Sequence, residues 1–316
     1  MTQRMFVATV LGVSALLASS PVLSDLYVST FGARAVAKYD EASGAGGIFI
    51  PDDGTEKFGL AIGPDGNLYV AGPAGVRRHD ATTGALLTTF ETAPPSTTGT
   101  DFRILTSVAF GPNGRLYVAD LWNGEVLRYD GAIGSFVDVF LSRAALGFEP
   151  HGLAITPEGT SLMVSSDLVN RIRRYDATTG VFEGFFTPDD GLYAAQIAFG
   201  PDGNLYVPDF VNHSVRRYDG NTGAFVGTFA SGNGLTSPFG LAFGTDGDLY
   251  VSSGGDDRIY VFDGATGGFQ RSFATDLDLS SLTYLAFSSP VPEPRTYLLW
   301  LFAIGAIAMR LRPRLR

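Results

Sequence analysis

Short apolar triplets, each followed by a polar turn and a second apolar triplet, recur five times along the chain. One copy reads LAFGTDGDLYV, and the five copies begin at Leu60, Val108, Leu153, Ile197 and Leu241. A continuous apolar triplet is typical of a strand that is buried on both faces. The Pro and Gly residues of the turns reverse the chain, and Leu-Tyr-Val suits a pleated strand. Each copy therefore predicts two antiparallel strands, of which the first is the more buried.

A second pattern follows every copy of the first. It reads RRYDGNTGAFVGTF in one copy, and in all five copies Gly lies four positions after Asp and the closing Phe lies six positions after that Gly. The Arg-Tyr-Asp segment and the Phe-ending segment predict a third and a fourth strand, joined at the Asp-x-x-x-Gly turn. Four-stranded units with a period of roughly 45 residues are typical of a β-propeller.

The two ends of the repeat determine the predicted number of blades. Residues 25–50 contain a second, third and fourth strand without an inner strand, and Leu285–Phe287 supplies an inner strand alone. Pairing these two pieces adds a sixth blade to the five internal ones and closes the ring. The sequence thus predicts an all-β, six-bladed propeller over residues 25–290, between an N-terminal segment 1–24 and a C-terminal segment 291–316.

Side chains that recur in every copy are interpreted as structural. The closing phenylalanines are expected to pack between blades, and they are Phe90, Phe140, Phe186, Phe229 and Phe273. The repeated aspartates are expected to stabilise turns, and they are Asp40, Asp80, Asp130, Asp176, Asp219 and Asp263 after the third strand, with Asp65, Asp202 and Asp246 after the first.

Two of the copies carry a further pair of polar residues after the second strand. Asp120 and Asn123 in VADLWNGEVLRYD, and Asp209 and Asn212 in VPDFVNHSVRRYD, resemble NHL repeats. The resemblance spans most of residues 25–290. It implies a propeller that serves in binding or assembly and, in some members of that family, in catalysis.

We expect the functional site to lie on one face of the propeller. The turns between strands one and two and between strands three and four share one face, here called the regular face. The loops between strands two and three and the connectors between blades share the opposite, irregular face. Because variable loops carry binding sites more often than repeated turns do, the irregular face is the predicted functional surface. Trp122 and Phe210 are candidates there for stacking on sugar rings.

The positions two residues before each inner triplet are expected to line the mouth of a central funnel. Glu149-Pro150-His151-Gly152, at one of them, resembles the Glu-x-His segment of streptogramin B lyases. Those propellers use a Glu, two His and magnesium, so the resemblance implies Glu149 and His151 as catalytic candidates and a divalent metal as cofactor. The funnel positions are Phe58, Thr106, His151, Ala195, Phe239 and Thr283.

The chain departs from that family where the second histidine would be needed. Thr106 stands at this position in the preceding blade, and Ala195, followed by Gln196, stands there in the next. Thr106 and Gln196 are therefore retained as binding candidates, and no residue is assigned as a metal ligand. A lyase-like or lactonase-like enzyme that uses Glu149 and His151 remains the alternative function.

Both ends of the chain carry targeting patterns. Residues 1–24 combine an arginine, an apolar stretch and a small-residue site, which is typical of a cleaved secretory signal. Residues 297–309 form an apolar run followed by arginines at 310, 312, 314 and 316. This pattern predicts a short hydrophobic helix that is transiently inserted in the membrane, with the arginines on the cytoplasmic side.

The residues before this apolar run resemble a known sorting motif. Val291, Pro292, Glu293 and Pro294, followed by the apolar run and the basic end, look like the PEP-CTERM signal of Gram-negative bacteria. The resemblance implies processing by an exosortase and a host that makes exopolysaccharide. It places the protein in the periplasm, outer envelope or extracellular matrix, anchored in the membrane until the tail is processed.

Composition narrows the functional classes further. The chain has no cysteine, so neither disulfides nor thiolate metal sites are available. All 32 acidic residues lie in the segment Asp25–Glu293, whereas six of the 22 basic ones lie outside it, which leaves that segment a net charge of −16. Nucleic acid is therefore not an expected partner. The predicted function is a non-catalytic binding or scaffold protein whose partner is exopolysaccharide or an envelope protein.

Overall fold

Strands form where the apolar triplets and the aromatic and β-branched segments predict them. The computed structural model of the protein describes residues 24–94, 101–111, 114–166, 169–275, 277–278 and 283–288. Over these residues, 24 strands form six four-stranded antiparallel sheets. The prediction of an all-β, six-bladed propeller is confirmed. The predicted secretory segment up to residue 23 and the sorting segment 291–316 lie outside the described residues.

Blades 1 to 3 each run from an inner strand at the axis to an outer strand at the rim. Blade 1 contains β24 (Thr283–Phe287), β1 (Asp25–Thr30), β2 (Val36–Asp40) and β3 (Gly46–Ile50). Blade 2 contains β4 (Leu60–Ile62), β5 (Leu68–Gly72), β6 (Gly75–His79) and β7 (Leu86–Thr89). Blade 3 contains β8 (Leu105–Phe110), β9 (Arg115–Asp120), β10 (Glu125–Asp130) and β11 (Phe136–Leu141).

The other three blades follow after a one-turn helix, α1 (Arg143–Leu146), in the connector. Blade 4 contains β12 (Leu153–Ile155), β13 (Ser161–Val164), β14 (Arg173–Asp176) and β15 (Phe182–Phe185). Blade 5 contains β16 (Ala198–Phe199), β17 (Leu205–Asp209), β18 (Ser214–Tyr218) and β19 (Phe225–Ser231). Blade 6 contains β20 (Pro238–Phe243), β21 (Leu249–Ser253), β22 (Arg258–Phe262) and β23 (Phe269–Ala274).

The closing phenylalanines pack against the next blade, as predicted. A Cβ added to Gly134 would lie 2.6 Å from the Phe90 ring, so the Asp-x-x-x-Gly turn of blade 3 fits against blade 2 only with glycine. Gly134 also has a φ of 77°, which disfavours other residues. The same approach of a turn glycine to a preceding phenylalanine recurs at Gly180 and Phe140, Gly223 and Phe186, Gly267 and Phe229, and Gly44 and Phe273.

The repeated aspartates hold the turns, which confirms their structural interpretation. Asp80 Oδ1 accepts hydrogen bonds from Thr83 N at 2.7 Å and Thr83 Oγ1 at 2.9 Å, while Gly84 N donates to Asp80 O at 2.9 Å. These bonds from Thr83 lower the pKa of Asp80. Asp176, Asp219 and Asp263 make the same pattern in their own blades.

Blade 2 differs from the others at the end of its third strand. His79 is buried there, where four blades have tyrosine and blade 6 has Phe262. Its Nδ1 lies 3.0 Å from the carbonyl oxygen of Gly84. Its Nε2 is buried and has no hydrogen-bond partner among the described residues. Burial lowers the pKa of His79 below its ordinary value, with the charge of Arg77 acting in the same direction.

We expect His79 to make the stability of the propeller depend on pH. Because its folded-state pKa is below 6.5, the unfolded chain binds the proton more readily. The free energy of unfolding should therefore fall as pH drops from about 6.5 towards the folded-state pKa. Urea unfolding of wild type and His79→Phe between pH 7.5 and 5 should give a steeper loss for wild type. Parallel curves for the two proteins would contradict this expectation.

Candidate functional site

A cleft of about 520 Å³ opens on the irregular face, beside the inner strands of blades 1 to 3. Phe31 comes from the loop between β1 and β2, and residues 73–74 come from the loop between β5 and β6. Two connectors complete the walls: residues 54–58 lead from blade 1 to blade 2, and Phe102 and Ile104 lie between blades 2 and 3. The cleft is thus made by loops and connectors that the repeat does not specify.

Aromatic rings line the cleft and continue along its rim. Phe31 stacks on the buried Phe58, with ring centroids 5.3 Å apart and an interplanar angle of 11°. Phe102 and Trp122 make an edge-to-face contact at 5.5 Å, and they are 53% and 54% exposed. Exposed rings at the mouth of an apolar cleft can stack on the apolar face of a sugar or of another aromatic group.

Polar groups occupy one wall of the cleft. Arg77 Nη1 donates to Asp53 Oδ2 at 2.6 Å and to Thr55 Oγ1 at 2.9 Å. Burial alone would raise the pKa of Asp53, but hydrogen bonds from Thr55 and Lys57 outweigh it and hold the pKa well below its ordinary value. Thr55 and Glu56 line this wall, where Thr55 Oγ1 is held in place by its hydrogen bonds with Arg77 and Asp53.

A buried cluster of charges supports the aromatic rim. Arg103, which follows Phe102 in the chain, is 8% exposed, whereas Asp120 and Glu125 are fully buried. The guanidinium of Arg103 is bonded to Asp120, lies 3.4 Å from Glu125 Oε2, and donates to the Pro94 carbonyl oxygen at 2.6 Å. Burial raises the pKa of Asp120, against the opposing effects of Asn123 and Arg103. Such a cluster fixes the connector to blade 3.

Asn123 joins the two loops that carry the exposed rings. Its Nδ2 donates to Asp120 Oδ2 and to the Phe102 carbonyl oxygen, both at 2.9 Å. The Asp-Asn pairing recurs in blade 5, where Asn212 Nδ2 donates to Asp209 Oδ2 at 2.8 Å. These residues, which carry the resemblance to NHL repeats, therefore shape the loops of the irregular face.

Most of the predicted funnel positions are buried, and His151 and Phe239 among them are in contact. His151 in blade 4 contacts Tyr284 in blade 1, the blade opposite to it: its Nδ1 lies 3.3 Å from the Tyr284 hydroxyl. The imidazole of His151 also packs edge-to-face on Phe239. Thr106 Oγ1 donates to the His151 carbonyl oxygen at 2.9 Å. His151 is 2% exposed and Thr106 is fully buried. Side chains from three blades, His151, Phe239 and Tyr284, are thus in contact with one another at the axis.

Glu149 and His151 are not brought together. Glu149 Oε1 accepts a hydrogen bond from Arg143 Nη2 of α1 at 2.9 Å, at the protein surface. His151 points to the axis and to Tyr284. In the described structure Glu149 thus pairs with Arg143 at the surface, whereas His151 contacts Tyr284 at the axis.

The remaining binding candidates have structural roles in the described fold. Gln196 bridges the backbone of Leu285, since its Nε2 donates to the carbonyl oxygen at 2.8 Å and its Oε1 accepts from the amide at 3.0 Å. It thereby ties blade 5 to the closing strand of blade 1. Phe210 is half-buried against Tyr193, with ring centroids 5.8 Å apart. Of the predicted binding residues, Trp122 is the one that lies beside the cleft.

The described residues do not fit the divalent metal that the lyase resemblance implies. Within the described ranges, no group of three or more His, Asp or Glu side chains is placed to hold a metal ion. Glu149 is paired with Arg143, and His151 is enclosed at the axis.

The same described ranges contain no helix that is long and apolar enough to cross a bilayer.

Phe31, Phe102 and residues 73–74 were not identified from the sequence. The sequence marks these residues only by the fact that they interrupt the repeat instead of belonging to it. Which interruptions meet in space depends on the path of each connector, and that path is not encoded in the repeat spacing.

No family model and no curated protein matches the sequence. Among solved structures, a chain of a nidogen/laminin complex is 13% identical, with a TM-score of 0.67 and coverage of 84% of this chain and 99% of that one. A streptogramin B lyase is 18% identical, with a TM-score of 0.56 and coverage of 81% and 76%. A Bacteroides caccae protein of unknown function is 14% identical, with a TM-score of 0.65 and coverage of 84% and 99%. At these identities the likeness shows a shared propeller fold.

Proposed function

We propose that this chain is an exported, non-catalytic propeller that binds a component of the bacterial envelope or exopolysaccharide matrix through the cleft on its irregular face. The observation that carries the proposal is the aromatic cleft formed by Phe31, Phe102 and Ile104, with Trp122 at its rim. Its loops are held by buried hydrogen bonds, so that binding requires little ordering of the protein.

The proposed export and membrane anchoring rest on the sequence patterns at the two ends of the chain. Residues 1–24 act as the export signal, and Pro292-Glu293-Pro294 is the site that an exosortase recognises. The protein is then anchored by the segment 297–309 until that tail is processed. An expected location in the periplasm, outer envelope or extracellular matrix of a Gram-negative bacterium follows from these patterns.

A neutral glycan is the ligand class that best fits the cleft. Aromatic rings stack on the apolar faces of sugars, and Thr55 and Glu56 offer hydrogen-bonding groups at the same wall. The segment Asp25–Glu293 has a strong excess of acidic residues, which disfavours an acidic polysaccharide. An envelope protein that inserts an apolar side chain is the second partner class.

The solved structures of similar fold include both kinds of function. One is described as a nidogen/laminin complex and the other as a streptogramin B lyase. The placement of Glu149 on Arg143 and the burial of His151 favour the binding interpretation. Substrate turnover that is abolished by both Glu149→Gln and His151→Ala would support the enzyme instead.

Removing the exposed rings is expected to weaken binding about ten-fold or more, which corresponds to about 1.4 kcal/mol. The test uses the full chain in detergent and an immobilised panel of neutral oligosaccharides of glucose, galactose, mannose and N-acetylglucosamine. Phe102→Ala combined with Trp122→Ala should lower the affinity for the oligosaccharide that wild type binds. Both rings are more than half exposed, so the fold should be retained.

The matched control is Phe182→Ala. Phe182 is also about half exposed, but it lies on the outer strand of blade 4, away from the cleft. An equal loss for the control and the cleft variant would contradict the proposed site. If no glycan binds, and wild type but not the cleft variant recovers an envelope protein from cross-linked intact cells, the partner is a protein.

A further inference from the structure

The two ends of the described chain occupy the place of a missing turn. In blades 2, 4, 5 and 6 the inner strand continues through a short turn on the regular face into the second strand. In blade 1 these strands are β24 and β1, which pair Leu26 with Phe287 but are not consecutive in the chain. Asp25 N donates to Ser288 Oγ at 2.8 Å, and Ser288 N donates to the Asp25 carbonyl oxygen at 2.9 Å.

Both terminal segments therefore leave the propeller at one corner of the regular face. Ser24 and Ser288 lie at the position that the turn between the first and second strands occupies in the other blades, such as Gly63–Gly66 in blade 2. The aromatic cleft is formed by connectors and by loops between second and third strands, at the opposite end of the same strands. The chain exits and the cleft thus lie on opposite faces.

We infer that the regular face is the side turned towards the bilayer and that the cleft opens away from it. This inference rests on the proposed function, because it takes residues 297–309 as a membrane anchor. The partner of the cleft is then a component beyond the membrane surface, such as matrix glycan or the exposed part of another envelope protein. Membrane lipid is excluded as the occupant, even though the cleft is apolar.

The length of the intervening chain supports this orientation. Residues 289–296 separate Ser288 from Tyr297, and these nine Cα–Cα steps reach at most about 32 Å when fully extended. To place the irregular face on the bilayer, this segment would have to cross a four-stranded blade, roughly 14 Å wide, and then pass along a strand height of roughly 17–20 Å. This path of roughly 31–34 Å uses the full reach of the segment before any distance to the membrane is added.

Charge on the regular face is consistent with a propeller that stands off the bilayer. The exposed turns of this face carry an aspartate in each blade, including Asp40, Asp80, Asp176, Asp219 and Asp263. These carboxylates repel anionic headgroups. Attachment therefore depends on the tail, and the face itself is not a lipid-binding surface.

Energy transfer to lipid provides the test, because the chain has no cysteine of its own. Asn221→Cys, in the regular-face turn of blade 5, and Val211→Cys, in the irregular-face loop of the same blade, are both exposed positions. Each full-length variant is labelled with a donor dye and incorporated into phosphatidylethanolamine and phosphatidylglycerol vesicles that contain an acceptor lipid. We expect about two-fold more transfer from position 221, because the faces are separated by roughly 17–20 Å.

A longer tether supplies the control. Inserting a flexible segment of about 30 glycine and serine residues after Ser288 should reduce the difference between the two positions, because the propeller can then tumble. Equal transfer from positions 211 and 221 with the native tether, or greater transfer from 211, would overturn the inferred orientation. Failure of the full chain to float with vesicles would instead overturn the anchor in the proposed function, and the orientation with it.

Discussion

Replacing Arg103 with methionine is expected to lower the free energy of unfolding by about 3–5 kcal/mol and to abolish binding at the cleft. The variant keeps an apolar side chain of similar length but removes the positive charge between Asp120 and Glu125. Both carboxylates are fully buried, so two buried negative charges lose the counter-charge of Arg103. The bond from Arg103 to the Pro94 carbonyl oxygen is lost as well, which loosens the connector that carries Phe102.

The matched control for this variant is Arg115→Met in the same blade. Arg115 pairs with Asp130 at 3.2 Å, and both side chains are more than a third exposed. A surface pair of this kind contributes about 1 kcal/mol or less. Chemical denaturation should therefore separate the two variants clearly. A stability loss at Arg103 no larger than that at Arg115 would contradict the idea that the buried cluster supports the fold.

A compensated variant distinguishes loss of charge from loss of packing. Adding Asp120→Asn and Glu125→Gln to Arg103→Met removes all three buried charges together. Most of the lost stability should return, because neutral amides in the same places do not repel each other. If stability returns while cleft binding stays weak, Arg103 also positions the rim. If neither returns, packing of the Arg103 side chain dominates.

The second large effect is expected at the closure of the ring. Glu41 is 1% exposed, and its carboxylate accepts hydrogen bonds from Ser24 N at 2.8 Å and from Thr245 Oγ1 at 2.6 Å. Ser24 Oγ at 3.1 Å and Asp246 N at 3.3 Å complete the set. This one side chain thus joins the start of blade 1 to the first turn of blade 6.

Changing Glu41 to alanine should lower the free energy of unfolding by about 3 kcal/mol, because several donors lose a charged acceptor. Part of this loss is offset at Asp246. Burial and the negative charge of Glu41 both raise the pKa of Asp246, and the Glu41→Ala change removes that neighbouring negative charge. Urea unfolding at neutral pH measures the effect. Tyr250 Oη still donates to the residue 41 carbonyl oxygen at 3.0 Å, so the blades stay in contact.

Glu158→Ala is the control for the ring-closing variant. Glu158 is exposed and lies in the first turn of blade 4. This turn is the counterpart of the blade 6 turn that Glu41 contacts. This change should alter stability by about 0.5 kcal/mol or less. Similar unfolding curves for the two variants would show that strand pairing between β24 and β1 closes the ring without help from Glu41.

The sequence by itself determined the scaffold. Blade number, strand order and the structural roles of residues such as Phe90 and Asp80 could be predicted because each depends on spacing within one repeat or between neighbouring repeats. The physical basis is local: a turn fixes which strands pair, and a glycine at positive φ must approach the aromatic ring before it. Because the same local contacts recur in all six blades, the overall architecture follows from the repeat.

The tertiary structure decided which chemistry the scaffold presents. The sequence placed Glu149 and His151 two residues apart, yet one faces Arg143 at the surface and the other meets Tyr284 from the opposite blade. Phe31 and Phe102 form one cleft although 70 residues separate them. Contacts of this kind depend on the paths of unrepeated connectors and on side chains from distant blades. No periodic pattern encodes them, because their free energy arises only once the ring has closed.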